Sequence, residues 1–230
     1  MSAPINGCNF DFGNEPGKYT LIYADPPWQY RDKAKDGERG VDFKYSTMNL
    51  QDIKRLPVWD LAAESCLLAM WHVGPMPLEA LAVMEAWGFR LFNMKGFTWH
   101  KIHAKSGKDC MGMGNLTRSN TEDCLFAIKG KLPERMMANI IQHVSAEEHV
   151  TAARGEHSAK PAIFADKLVQ LLGNVPRIEL FARTAKEGWH HWGDQCKCDV
   201  EFVPASFKVL NMPDPNYDPG LDGPWDVDDI

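Results

Sequence analysis

Asp25-Pro26-Pro27-Trp28 is the stretch of this sequence whose residue types most directly imply chemistry. An exocyclic amine on adenine or cytosine is a poor nucleophile, because its lone pair is delocalised into the ring. To attack a methyl donor the nitrogen must move toward tetrahedral geometry, with acceptors placed on its hydrogens. The Asp25 carboxylate supplies one acceptor. The backbone carbonyl of Pro26 can supply another, held between rings that fix φ and remove competing N–H donors. Acceptors placed for the developing positive charge act on the transition state rather than on the bound substrate. Trp28 then offers a π-face on which an extruded base can stack. The same residues also fit a purely structural role: a Pro-Pro turn capped by aspartate, with Trp28 packed on the core.

The motif directly follows Thr20–Ala24, a short β-rich run that the prolines stop. Cys66–Trp71, Phe97–Trp99, Cys124–Ile128 and Arg177–Ala182 read as further strands. Leu78–Trp87 reads as a helix, with Pro77 at its start and Gly88 where a C-terminal cap falls. A second helix is expected over Ala159–Leu172, with Ser158 as N-cap, Pro161 in its first turn and Gly173 just past its end. Phe164, Leu168, Leu171 and Leu172 give it an apolar face. Strands alternating with helices, most strands being continuous apolar runs, predict an α/β sheet covered on both faces. In such sheets ligands bind beyond the carboxyl ends of the strands, where Asp25 falls.

At 230 residues, 44% hydrophobic and 24% charged, the chain reads as one domain over 1–210 followed by a tail over 211–230. The formal net charge of −6 argues at first against a nucleic-acid partner. That excess belongs wholly to the tail, which holds six aspartates and no lysine or arginine, leaving 25 basic and 25 acidic residues before it. The tail reads as a solubilising extension, or as a segment that folds over the substrate groove as an electrostatic competitor. Within the body, Lys95–Arg135 carries eight basic residues against four acidic ones, so a locally positive face is available. Met1–Phe10 has no signal-peptide pattern, and no run of some 18 apolar residues occurs. The expected setting is therefore a reducing cytoplasm, with no membrane partner. Cys66 and Cys124 read as small core residues. His190, His191, Cys196 and Cys198 fit no common zinc module, and no metal is expected.

Beyond the tetrapeptide, a series of segments resembles the adenine-N6 methyltransferases, the family that includes the writer of 6-methyladenine in eukaryotic messenger RNA. They are Gly17-Lys-Tyr, Tyr45-Ser-Thr-Met48, Ala69-Met-Trp71, Phe97-Thr-Trp-His-Lys101 and Asn120-Thr-Glu-Asp-Cys-Leu-Phe-Ala-Ile-Lys-Gly130. His157-Ser-Ala-Lys-Pro161, Ile178-Glu-Leu-Phe-Ala-Arg183, Gly188-Trp and Trp192-Gly-Asp-Gln195 complete it, so that the resemblance covers nearly all of 17–196. The Asp-Pro-Pro-Trp strand comes first and the cofactor-like motif last, which resembles the permuted beta class of amino-methyltransferases. The resemblance implies a Rossmann-like S-adenosylmethionine-dependent methyltransferase sheet with helices on both faces. Gly-x-Gly-x-x-Gly, which a nicotinamide enzyme would need, is absent, and the family does without it.

By the same resemblance, Asp25 holds the adenine amine and lies near the methionine end of the donor, Pro26 and Pro27 complete the catalytic turn, and Trp28 stacks on the base. Lys129 would pair with the donor carboxylate. Glu179, Arg183, Asp194 and Gln195 would reach its ribose and adenine. Asp194 stands where the family usually has Asn, so it can accept but not donate there. Tyr45 is expected at the base pocket; Trp71 and Trp99 either line that pocket or are core aromatics. The polar loops Tyr30–Tyr45 and Lys101–Arg118 are the candidate substrate loops, with Lys101, Lys105, Lys108 and Arg118 on phosphates. The expected activity is methyl transfer to adenine N6 in DNA. The alternatives are the same chemistry on RNA, or a catalytically silent nucleic-acid-binding partner, and self-association is compatible with each.

Overall fold

The computed structural model describes residues 18–29, 47–112, 116–132, 147–155, 159–200 and 202. Strand β1 (Tyr19–Ala24) is followed by two short helices, α1 (Leu50–Arg55) and α2 (Val58–Leu61), and by β2 (Ala62–His72). Helix α3 (Pro77–Ala86) then leads to β3 (Arg90–Ile102), β4 (Thr121–Lys129) and β5 (His149–Ala153). Helix α4 (Ala162–Leu172), β6 (Arg177–Leu180) and β7 (His190–Trp192) complete the order.

The strands form one seven-stranded sheet in the order β5-β3-β4-β2-β1-β6-β7. Pairs β1–β2, β1–β6, β6–β7 and β3–β5 are parallel, whereas β4 is antiparallel to both β2 and β3. All strands but β4 therefore end at one edge, and β4 begins there. On one side of β1 the sheet continues through β2, on the other through β6. The β1/β6 junction is thus the point where strand order reverses, and a crevice opens there in sheets of this type.

Alternation along each strand sends side chains to two separate cores. Ile22, Leu68 and Met70 pack with Ile53, Val83 and Trp87 on the face covered by α1–α3. Leu21, Leu67 and Trp71 pack with Phe164, Leu168 and Leu172 of α4 on the other. The sheet is thus covered on both faces, as its apolar runs predict. Gly88 follows α3 at φ 79°, a conformation L-residues rarely adopt, and a Cβ there would lie 2.0 Å from the Trp59 ring.

Several boundaries differ from expectation. Helix α4 begins at Ala162 rather than Ala159, because Pro161 (φ −56°, ψ 140°) is its N-cap; Ser158 lies outside the described residues. Strand β3 starts at Arg90, seven residues before its apolar run, since its first half is half-exposed and irregular in register against β4. Strands β5 and β7 carry polar residues at the sheet margins and have no apolar run to announce them.

Candidate active site

Asp25 follows β1 at the carboxyl edge, and Lys160, two residues before α4, reaches it from the covering helix. Lys160 Nζ lies 2.7 Å from Asp25 Oδ2 and 3.3 Å from Glu122 Oε2. Lys101 Nζ lies 2.7 Å from Glu122 Oε1. Asp25, Lys160, Glu122 and Lys101 thus form a chain of alternating charge across the ends of β1, α4, β4 and β3. The side chains of the first three are only 22%, 10% and 18% exposed. Burial alone would raise the Glu122 carboxyl, but Lys160 and Lys101 outweigh it and hold it below its ordinary value. Burial likewise works against the Lys160 ammonium, yet Asp25 and Glu122 prevail and push it up. Lys160 and Glu122 are therefore both ionised at neutral pH.

The Asp-Pro-Pro-Trp turn is closed from within. Trp28 N donates to Pro26 O at 2.8 Å, and Met48 N donates to Pro27 O at 3.0 Å. A carbonyl has a second lone pair, so Pro26 O retains capacity to accept. The Trp28 ring corrects one expectation: it is 5% exposed, belongs to the core beside α1 and α3, and donates from Nε1 to Trp71 O at 3.0 Å. Trp28 anchors the turn rather than offering a free stacking face. Trp71 and Trp99 are buried core aromatics whose rings adjoin the charge chain, with Lys160 Nζ 5.3 Å from the Trp71 ring centroid and Lys101 Nζ 5.6 Å from that of Trp99. Trp71 Nε1 donates to Tyr23 Oη at 2.7 Å, Trp99 Nε1 to Ala152 O at 2.9 Å, and both rings pack edge-on against Phe164. Lys101 faces Glu122 instead of standing free for phosphate. Lys105, Lys108 and Arg118 are exposed; Tyr45 and the Tyr30–Tyr45 loop lie outside the described residues, as do His157 and the tail 211–230.

Lys129 is the plainest correction. Because β4 runs against its neighbours, its last residue lies at the far edge, paired in register with Cys66. Lys129 Nζ donates to Trp59 O at 3.1 Å and Ala62 O at 3.0 Å, and lies 3.7 Å from the Trp59 ring centroid. The lysine at the site is Lys160. Its signal was present in His157-Ser-Ala-Lys-Pro161, which reads on its own as a helix start.

The cofactor-like motifs meet beside this chain. Glu179 pairs in register with Tyr23 on one side and His191 on the other. Its carboxylate is bonded by Lys186, whose Nζ lies 5.5 Å above the Tyr23 ring. After β6 the chain turns through Phe181 at φ 62°, a conformation that costs a bulky residue about 1–3 kcal/mol and persists only where packing imposes it. Trp87 stacks on Phe181 at 6.5 Å, and Trp192 meets it edge-on at 5.4 Å. Ala182 N donates to Trp192 O at 3.0 Å, and a Cβ on Gly193 would lie 2.1 Å from Ala182 O. Glycine thus lets the two loops touch at Ala182 and Gly193, which are followed in sequence by half-buried Arg183 and by exposed Asp194 and Gln195. His191 is committed to structure: Lys186 N donates to its Nε2 at 2.8 Å, and its Nδ1 lies 3.3 Å from Asp199 Oδ2. Among the described residues no group of three or more His, Cys, Asp or Glu side chains is placed to hold a metal ion.

The sequence is similar to those of known proteins. The MT-A70 family model matches residues 19–195. The type II methyltransferase M.MunI of a Mycoplasma species is 31% identical over 192 residues, covering 76% of this chain and 77% of that protein. An N6-methyladenosine RNA methyltransferase, MTA1 of Cryphonectria parasitica, is 26% identical across 80% of this chain and 53% of its own length. The mouse N(6)-adenine-specific methyltransferase METTL4 is 24% identical across 77% of this chain but only 37% of its own length. With some three quarters of its residues under one family model, the chain belongs to the MT-A70 family.

Proposed function

We propose that this chain transfers a methyl group from S-adenosylmethionine to the N6 amine of adenine in DNA. The observation that carries the reading is the Asp25 carboxylate: it directly follows β1 at the switch point, paired through one oxygen with Lys160 and adjacent to the Pro26 carbonyl. Asp25 accepts one amine hydrogen and Pro26 O the other, which localises the nitrogen lone pair for attack. Lys160 fixes the carboxylate by holding Oδ2, leaving Oδ1 for the amine. As the N–CH3 bond forms and the methyl–sulfur bond breaks, leaving a neutral thioether, the amine gains positive charge facing these acceptors. Its surplus proton becomes acidic only then, and leaves to water without a dedicated base.

The donor set fits S-adenosylmethionine. Glu179, Asp194 and Gln195 are acceptors suited to ribose hydroxyls and an adenine amine, while Arg183, Lys160 and Lys186 are cations suited to a carboxylate. When bound, S-adenosylmethionine supplies a methyl group on a positively charged sulfur. A cytoplasmic setting offers both donor and DNA. DNA is favoured over RNA because M.MunI, a type II methyltransferase, combines 31% identity with coverage of 77% of its own length.

Labelled donor incubated with unmethylated DNA and with matched RNA, followed by mass spectrometry of the nucleosides, tests the reading. N6-methyladenine in DNA, abolished by Asp25→Ala, is the expected outcome. Label in RNA alone moves the substrate to RNA. Donor binding without incorporation into either makes the chain a silent partner.

A further inference from the structure

We propose that the described arms of the connection between β3 and β4, 103–112 and 116–120, form a wedge for duplex DNA: Met111 and Leu116 fill the stack vacated by an extruded adenine while Lys105, Lys108 and Arg118 hold the flanking phosphates. The inference rests on the adenine-methylation reading and adds to it a substrate form and a means of base extrusion.

Placement is the first argument. The loop leaves the end of β3 and returns at the start of β4, so it rises from the edge that carries Asp25. Lys101 and Glu122, at its base, belong to the charge chain that ends on Asp25. The second argument is rigidity near that base. His103 N donates to Lys108 O and Cys110 N to Lys101 O, each at 2.8 Å, and Gly112 N donates to Ser119 O at 2.7 Å. Ile102 bridges Asp109, and Cys110 is buried. These bonds brace the two described arms of the connection where they leave β3 and enter β4.

Charge and exposure supply the third argument. Asp109, an acid in the loop, is already engaged by His100 Nε2 at 2.9 Å. Lys105, Lys108 and Arg118 are exposed, and no ion pair is formed by them among the described residues. Between these cations Leu116 is 100% exposed and Met111 53%. Single exposed apolar residues are ordinary, but phosphate contacts alone need only cations. Apolar side chains among cations, beside a site that takes an extruded base, match the chemistry of a side chain inserted at a base step. A base still stacked in a duplex keeps its amine out of reach of a partly buried carboxylate such as Asp25, whose side chain is 22% exposed. Extrusion leaves a gap in the stack, and an apolar filler offsets part of the unstacking cost. A single strand has no such gap to fill.

The test uses the full chain with labelled S-adenosylmethionine and unmethylated amplified DNA, presented as duplex and as heat-denatured strands, with RNA of the same sequence in parallel. Leu116→Ala and the double variant Met111→Ala/Leu116→Ala should lower kcat/KM on duplex by about 10- to 100-fold, and on denatured strands by less than about 3-fold. Leu116→Met, which keeps the apolar bulk, should restore duplex activity. Equal loss on both forms, or no loss on duplex, overturns the wedge. So does a failure of Leu116→Met to recover in a variant whose circular dichroism matches wild type. Wild-type activity confined to denatured DNA or RNA also overturns it, while leaving the methyltransferase reading intact. Absence of incorporation into every substrate removes the methyltransferase reading and the wedge with it.

Discussion

Lys160→Met removes the cation between Asp25 and Glu122 while keeping most of the side chain's apolar length. In the wild type that ammonium lies 2.7 Å from one carboxylate and 3.3 Å from the other, with its own side chain 10% exposed. Breaking a buried ion pair from one side costs about 3–5 kcal/mol, because the remaining charge stays desolvated. Glu122 keeps Lys101 at 2.7 Å and Asp25 retains some contact with water, so the cost here should be nearer about 2–4 kcal/mol. For a chain of this size that corresponds to a fall in Tm of roughly 4–16 °C.

The pH dependence carries a signature of its own. Glu122 is depressed below its ordinary 4.5, so its contribution is full above that pH and is lost as pH falls through its folded value. Lys160 is raised above its ordinary 10.5, so its contribution is full below that pH and disappears as pH rises through its folded value. Lys160→Met should remove the alkaline contribution and shrink the acid one. Thermal denaturation from about pH 3.5 to 11 reads both limbs. A cycle with Glu122→Gln should give a coupling of about 1–3 kcal/mol. A wild-type Tm for Lys160→Met at pH 7, or strict additivity with Glu122→Gln, would refute the charge chain.

Asp25→Asn keeps the size of the side chain but loses its charge; kcat should fall by at least about 100-fold while circular dichroism changes little. Lys129→Ala should leave the KM for S-adenosylmethionine within about 2-fold of wild type, since Lys129 caps carbonyls at the far edge, and should cost about 1–2 kcal/mol in urea denaturation. A tenfold rise in that KM would return Lys129 to the donor site. In Gly193→Ala the new Cβ would meet Ala182 O, forcing the β6 and β7 loops apart; calorimetry should show donor affinity weakened by roughly 10-fold or more.

How much of this was legible in advance depends on which physical signal each feature uses. Strands β1, β2, β4 and β6 bury residues on both faces and announce themselves as apolar runs. Strands β5 and β7 lie at the margins, where pairing comes from the neighbour's backbone rather than from hydrophobicity. Residues at the site divide in the same way. Asp25 and Pro26 are legible as candidates because the proposed chemistry needs their types in succession. Trp28, Trp71 and Trp99 have the types for a base pocket, yet burial assigns them to the core, and burial depends on which helix covers which face. Lys160 was hidden because its partners Asp25 and Glu122 are 135 and 38 positions away in sequence. A pair formed only by folding leaves no local periodicity.

Strand direction explains the largest single reversal. In Asn120–Gly130 a glutamate stands near the start of the apolar run and a lysine at its end. Were β4 parallel to β2, the lysine would reach the carboxyl edge and the glutamate would fall at the opposite one. Its antiparallel pairing, Cys66 with Lys129 and His72 with Asp123, exchanges the two ends. Glu122 thereby enters the site between Lys101 and Lys160, and Lys129 is left to cap Trp59 and Ala62 carbonyls. The exchange also places the β3–β4 loop at the site, because an antiparallel neighbour can be joined by a direct turn whereas a parallel one needs a crossover. Inverting one strand therefore accounts for three features together: a buried acid that orders Lys160, a lysine left at the far edge, and a cationic loop at the edge that carries Asp25.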